Sequence, residues 1–482
     1  MNLPRPGRAT PPTGPARPPA YTPEAHGAGI LHIGPGAFHR AHQAAVTDAA
    51  LAAGGGDWRI LAATLRSVGI ARALAEQDGR FTLILRGPEG DEARVIGAIA
   101  GAIGPHPAAS LDALIRPGTR LVTLTVTEKA YGIDRASGGA DPRHPAVAAD
   151  LADPARPRGV LGLLAAALGR RWAEGIPAPA ILCCDNLPAN GTLLRGAVAD
   201  FARRAGDAAL ADRIAAEAAF PVSMVDRITP APTGRTRADA ARLTGCDDRA
   251  AVEAEPFLDW VIAGDFPLGR PAWEAGGAMF VADVAPFEAM KLRMLNGAHS
   301  LIAYAGGGAG HATVRAAMAD PVLRAVLEGY WRAVARTLPV TPGRDAADYA
   351  RRLEARFANP AIAHATAQIA ADGTQKLPQR ILAPAAEARA RGLPFRPLAV
   401  AVAAWMHHCA TGLPDDPRAA EIAAAVARGG RDAAATVAAL QRLPGLFPPD
   451  LIRDPGWTAA VADILGRMRV EGMAAALRAE AG

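Results

Sequence analysis

The sequence predicts an α/β amino-terminal half followed by a mainly α-helical carboxy-terminal half. Three observations carry this. First, GILHIGPGAFHRAHQ runs from a short apolar stretch, Ile30 to Ile33, through Gly34-Pro35-Gly36 into helical spacing from about His39. Strand, glycine turn and helix in that order open a dinucleotide-binding fold, because close glycines let the backbone approach a pyrophosphate. Second, two later β-branched runs end in polar residues, as parallel strands with functional carboxyl ends do. Third, from about residue 286 the chain consists of Ala/Arg/Leu segments broken by Pro or Gly. The expected fold is α/β: a Pro-rich disordered or loosely draped leader over 1–27, a Rossmann-type domain over 28–283, and a mainly helical domain over 284–482.

The leader, MNLPRPGRATPPTGPARPPAYTPEAHG, lacks the apolar stretch of a signal peptide. At the first strand, the two glycines of Gly34-Pro35-Gly36 also suit an ordinary tight turn. The third glycine of a dinucleotide fingerprint is missing, and His39 or Arg40 stands in that region. DWRILAATLRS predicts a second strand from Trp58 to Thr64. An acid at its end would bind the ribose of NAD, but Leu65-Arg66-Ser67 occupies the position, and Arg and Ser suit a 2′-phosphate. NAD is therefore expected with NADP still open. RLVTLTVTEKAYG (120–132) and APAILCCDNLPANG (178–191) each read as an apolar strand with a polar exit, the second leaving Asp185, Asn186 and Asn190 there. In open α/β sheets ligands bind beyond the carboxyl ends of strands. FPVSMVDRITPAP sets Asp226 and Arg227 between proline-flanked turns.

Composition narrows the function. At 482 residues the chain exceeds one ordinary core. Its net charge of +5 is small for that length, and no basic run interleaved with aromatics supports nucleic-acid binding. Apolar runs such as VIGAIAGAIG are too short and glycine-broken to span a bilayer. The four cysteines include an adjacent pair and no CxxC, so neither a disulfide framework nor a zinc site is expected. That usage suits a reducing cytoplasm.

The chemical lead is scarcity. Of 52 Lys plus Arg residues only Lys129, Lys291 and Lys376 are lysine, and the chain has only five asparagines. Arginine stays charged at any working pH, whereas a buried lysine can lose its proton, so a surviving lysine marks a task arginine cannot do. On an α-helix Lys291, Asn296 and His299 fall at about 0°, 140° and 80°, within one arc. The plainer reading is a surface lysine, a capping asparagine and a satisfied histidine. The grouped reading suits carbonyl reduction or alcohol oxidation: lysine as general acid/base, asparagine amides as donors to the developing oxyanion, and His299 orienting substrate. Metal chemistry is not expected, since HRAH at 39–42 lacks the glutamate of HExxH.

The blocks GPGAFHRAHQA, TVTEKAYG, CCDNLPANG, FPVSMVDRITP, PFEAMKLRMLNGAHS and DGTQKLPQR resemble, in that order, the polyol-specific long-chain dehydrogenases, which include mannitol 2-dehydrogenases and fructuronate reductases. The resemblance runs from about residue 28 to the carboxyl terminus. It implies a nicotinamide cofactor, no metal, Lys291 as the base, and Asn296 with Asn186 as the oxyanion pair, Asn190 being the alternative to Asn186. It further implies His299 as a substrate contact, Asp226 on the substrate side, and Gly34, Gly36, Phe38, Arg40 and Arg66 at the cofactor. GPGAFHRAH and DGTQKLPQR stand nearer the fructuronate reductase pattern. Lys376 and Arg380, four apart, would then meet a uronate carboxylate, unless they are a solvent-facing pair. Glu128, Lys129 and Glu288 are candidates for tuning Lys291 or relaying its proton. The expected reaction is NADH-linked interconversion of D-fructuronate and D-mannonate, with a mannitol-type polyol dehydrogenase as runner-up and a catalytically inactive nucleotide sensor as the remote alternative. The expected partner is a small sugar acid or polyol, with the protein a monomer or small homo-oligomer.

Overall fold

The computed structural model describes residues 3–481 except Ala9, Arg135, residues 361–363 and Leu413. The chain divides into two compact units, Met1–Val284 and Ala285–Gly482. Among the described residues no helix is long and apolar enough to cross a membrane. No group of three or more His, Cys, Asp or Glu among them is arranged to hold a metal ion.

The strands of the first unit are β1 (Ala28–Ile33), β2 (Arg59–Ala63), β3 (Phe81–Gly87), β4 (Gly90–Ile96), β5 (Ile99–Ile103), β6 (Leu121–Leu124), β7 (Ala180–Cys183), β8 (Val222–Asp226), β9 (Val252–Ala254), β10 (Asp259–Ala263) and β11 (Ala278–Phe280). A five-stranded sheet has the order β5-β2-β1-β6-β7, and every pairing in it is parallel. Side chains alternate faces along these strands. Ile30, Ile60, Leu121 and Leu182 enter one core cluster. Leu31, Ile33, Val122, Leu124 and Ile181 enter another, beneath the helices Val160–Ala173 and Asn190–Arg204. The chain leaves β1 towards β2 on one side and later returns to β6 on the other. The carboxyl ends of β1 and β6 therefore flank the topological switch point, where such sheets take their ligands.

The leader departs from expectation, because its described residues are docked. Ala16 is 4% exposed and joins a small cluster with Ile84, Val95 and Leu243. Arg17 bridges Arg94, its N–H donating to the Ala93 carbonyl at 2.9 Å and its carbonyl accepting from the Val95 N–H at 2.8 Å. Tyr21 donates to the Asp48 carboxylate at 2.8 Å. The physical reason is the open side of β4, which ends the sheet order β4-β3-β9: its unpaired backbone groups need cover, and the non-proline residues of the leader supply it.

The second unit is helical around one apolar core. The helix Arg396–Thr411 runs through it, with Leu398 to Met406 all buried. Around it pack Pro321–Ala335 and Pro455–Val470. The segment that carries Lys291 is not a plain α-helix. An α-turn at Ala285–Met290 gives way to a π-turn at Lys291–Asn296, then Gly297–Leu301 is α and Ile302–Gly306 is π.

Candidate active site

In the first unit, the turn after β1 is built on Gly34, whose φ is +95°. A side chain there would meet the left-handed penalty and also overlap the Thr125 carbonyl beyond β6. Gly36 is exposed, and a Cβ on it would find nothing nearer than the Gly34 carbonyl oxygen at 3.9 Å. The result is bare backbone at the end of β1, the cradle a pyrophosphate requires. Phe38 is half-buried and stacks on His42 at 5.0 Å.

Arg40 departs from its expected role at the cofactor. It is 5% exposed, and its guanidinium donates to the Pro35 carbonyl at 2.6 Å and the Ala250 carbonyl at 3.0 Å. It ties the glycine turn down from beneath, and burial lowers its pKa to about 10. Under the same turn the rings of His32 and His39 stack at 3.4 Å, both fully buried. Arg66 is exposed just past β2, where a 2′-phosphate contact was expected.

The exits of β6 and β7 are braced together. Thr127 has φ +72°, a strained conformation for a β-branched residue. Asp185 stabilises it, accepting from the Val126 N–H at 2.8 Å and the Tyr131 hydroxyl at 2.8 Å, with a further bond from the Thr127 backbone. Burial raises the Asp185 pKa despite these donors. Glu128 and Lys129 are exposed in the turn Glu128–Tyr131. The two asparagines of CCDNLPANG separate cleanly. Asn186 is exposed beyond β7. Asn190 is fully buried, its amide nitrogen donating to the Cys183, Asp185 and Ser223 carbonyls at 3.0, 3.2 and 2.8 Å. Its amide thus braces the strand exit. Asp226 is 7% exposed and ends β8, paired with Asp259 of β10.

In the second unit Lys291 is 7% exposed, and Glu288, half-buried, precedes it by three residues. The π-turn corrects the helical-wheel argument. The Gly297 N–H reaches back to the Leu292 carbonyl, a five-residue closure. A π-turn carries more residues per turn, so residue i+5 comes back toward residue i, whereas an α-helix would leave it about 140° away. Asn296 thus lies nearer the face of Lys291 than a regular α-helix would put it. His299, 9% exposed, lies against Phe357 at 4.5 Å and His364 at 5.2 Å. Burial, with the nearby His364, Arg356 and Arg380, holds its pKa well below the usual histidine range, so the ring is neutral.

Arg380 and Lys376 bond to different partners. The Arg380 guanidinium donates to the Asn296 carbonyl at 3.4 Å and the Ser300 hydroxyl at 3.3 Å, and so joins the Lys291 helix. Lys376 instead caps the end of the helix Thr366–Ala370, donating to the Ile369 and Ala371 carbonyls at 3.2 and 2.6 Å. The cause is local: carbonyls at a helix end lack intrahelical partners, and this ammonium is half-buried beside them. Burial, then Arg380, lowers its pKa.

The Rossmann domain model of mannitol dehydrogenases matches residues 28–275, and the mannitol dehydrogenase C-terminal domain model matches residues 283–466. The chain belongs to the mannitol dehydrogenase family. It is 40% identical over 448 residues to the D-mannonate oxidoreductase of Escherichia coli K12, covering 90% of this chain and 91% of the relative. It is 41% identical over 397 residues to the mannitol 2-dehydrogenase of Cereibacter sphaeroides, covering 81% and 83%. The solved Pseudomonas fluorescens mannitol 2-dehydrogenase, a ternary complex with NAD and D-mannitol, superposes with a TM-score of 0.83 at 37% identity and covers 96% of each chain.

Sequence reasoning about this family member passed over Tyr131, Ser300, Tyr330 and His364. Tyr131, Tyr330 and His364 meet the segments above from elsewhere in the chain, whereas Ser300 closes KLRMLNGAHS itself. Only Tyr carried a signal, being one of the rarest residue types in the chain, with five in all.

Proposed function

We propose that this protein catalyses reversible hydride transfer between a nicotinamide cofactor, NAD in the first instance, and the C–OH carbon of a sugar acid, interconverting D-fructuronate and D-mannonate. The observation that carries the reading is the buried Lys291 at the start of a π-turn that draws Asn296 toward its face, in a chain of the mannitol dehydrogenase family. The bare Gly34–Gly36 turn fits a dinucleotide, with Phe38 beside it and Arg66 at the ribose. Arg40 holds the turn from below. The cofactor supplies hydride acceptance or donation.

The chain's own residues handle the proton and the charge. In oxidation the Lys291 Nζ takes the proton of the reacting hydroxyl, and in reduction it returns that proton to the carbonyl oxygen. The amides of Asn296 and Asn186 donate to that oxygen as charge builds on it. A neutral His299 orients a neighbouring hydroxyl, as does Asp226. Arg380 pairs with the carboxylate, with Lys376 lending charge from its capping position. Glu288 and, from the turn beyond β6, Glu128 and Lys129 are candidates for passing protons to or from Lys291.

The relative named D-mannonate oxidoreductase supports the sugar-acid reading. A mannitol 2-dehydrogenase activity is the second reading, favoured by the relative of that name and by the ternary complex with NAD and D-mannitol. An initial-rate panel separates them: NADH or NADPH with fructuronate, tagaturonate and fructose. NADH-linked turnover of fructuronate far above fructose is the expected result. Preference for fructose makes the protein a polyol dehydrogenase. Lys291→Ala should cut kcat by at least about a thousandfold while nucleotide binding persists; unchanged turnover would exclude Lys291 as the acid/base, and silence of the wild type on every substrate would favour a sensor.

A further inference from the structure

A π-turn followed by an α-turn leaves one carbonyl without a helical partner. Here the Gly297 N–H closes on Leu292, so the Arg293 carbonyl is skipped. The Tyr330 hydroxyl, from the helix Pro321–Ala335, donates to it at 2.9 Å. The next carbonyl, Met294, accepts from the Trp331 indole at 3.0 Å. A second π-turn, Pro378–Leu382, carries Arg380, and there the Ala383 N–H closes on Pro378. Pro384, four residues on, has no N–H to donate to the Arg380 carbonyl. That carbonyl lies 3.3 Å from the same Tyr330 hydroxyl.

One hydroxyl therefore sits between the irregular turns of two separate helices, one bearing Lys291 and Asn296, the other Arg380. Gly297 makes room for it: a Cβ there would overlap the Tyr330 oxygen and come within 3.0 Å of the Arg380 carbonyl. Tyr330 is fully buried, and burial pushes its phenol pKa upward, so the group stays a donor.

We infer that Tyr330 is a positioning residue for the proposed reaction, its hydroxyl fixing the π-turn that draws Asn296 toward Lys291 and the register of that helix against the Arg380 turn. The inference rests on the reading of Lys291 as acid/base. Without the hydroxyl the Arg293 carbonyl is stranded in an apolar core, and the helix can recover by moving the extra residue along, which swings Asn296 away from the lysine. Trp331 supports the same turn through Met294.

The test is Tyr330→Phe, which keeps the ring and removes the donor, with Trp331→Phe as a second variant should the first fail to fold. The expected result for Tyr330→Phe is a kcat about ten- to a hundredfold lower, an unchanged Kd for NADH, a shifted basic limb in the pH profile of kcat, and faster amide exchange over residues 291–301. A variant with lower thermal stability but wild-type kcat and pH profile would overturn the inference and leave Tyr330 a packing residue. Trp331→Phe is read by the same criteria. Lys291→Ala run alongside separates the two failures: an inactive Lys291→Ala beside a wild-type-like Tyr330→Phe defeats only this inference, whereas an active Lys291→Ala defeats the reading beneath it.

Discussion

The amide of Asn190 is fully buried and donates to three carbonyls, while its oxygen accepts from the Ser223 N–H at 2.9 Å. Asn186, four residues earlier, is exposed at the strand exit. Asn190→Ala strands several buried groups and should cost about 3 kcal/mol in urea unfolding. Asn186→Ala should change stability by no more than about 0.5 kcal/mol and lower kcat about a hundredfold if its amide serves the oxyanion. A matched loss of stability in both variants, with kcat intact in Asn186→Ala, would defeat the assignment. Scarcity pointed to both asparagines and to Lys291, because a residue retained against compositional pressure is visible in one sequence. It did not tell an exposed amide from a bracing one, since that depends on burial. For the same reason Lys376 looked like an anion site, although its ammonium is engaged by helix-end carbonyls.

The glycine turn and the stacked histidines beneath it act as one element. His32 bonds Thr123 Oγ1 at 2.7 Å, and its other nitrogen lies 3.1 Å from the Gly34 carbonyl. Burial lowers its pKa to about 3 and holds His39 well below the usual range. Because these folded-state values lie below the unfolded value of about 6.5, the unfolded chain binds protons that the native pair refuses. Stability contributed by the neutral pair is present above pH 6.5 and is lost as pH falls below it. The loss approaches about 1.4 kcal/mol per pH unit for each histidine until the folded pKa is reached. Urea melts at pH 7 and 5 measure this, and His39→Phe should flatten the dependence by one histidine's share. A pH-independent midpoint over that range would contradict the buried stack. Strand, turn and helix were legible here because glycine spacing and apolar runs are local signals. The strand expected from 120 ended at Leu124, since the left-handed Thr127 turns the polar exit out of the sheet. The π-turns had no such signal. The pattern of KLRMLNGAHS suits an α-helix equally well, and the difference lies in carbonyls served by Tyr330 and Trp331 from more than thirty residues away.

At the scale of the chain, the leader is part of the first unit. Composition read its prolines as disorder, which is sound for a segment alone and fails where an open sheet edge offers partners. The Asp48 carboxylate, whose pKa burial raises, accepts from the leader's Tyr21 and from the Gly97 N–H at 2.7 Å. Glu24 pairs with Arg80 at 2.9 Å. Deleting residues 1–20 uncovers the Ala16 cluster and the edge of β4, and should lower Tm by more than about 5 °C in differential scanning calorimetry. An unchanged Tm would return the segment to a loosely draped tail. The α/β half and the helical half were readable because the strand-forming apolar runs fall before residue 284 and helical segments follow it.

A helix that closes on the fifth residue carries an extra residue in the turn. Deleting one position within 291–296 would restore regular backbone bonding, give the Arg293 carbonyl a partner within its own helix, and leave the two flanks close to their present orientation, because four residues of α-turn carry the chain about as far round as five of π-turn. Length variation in this helix is therefore a hidden trade: it repairs the backbone while taking from the Tyr330 hydroxyl the carbonyl it serves. Selection for backbone regularity alone would drift toward such shortened chains.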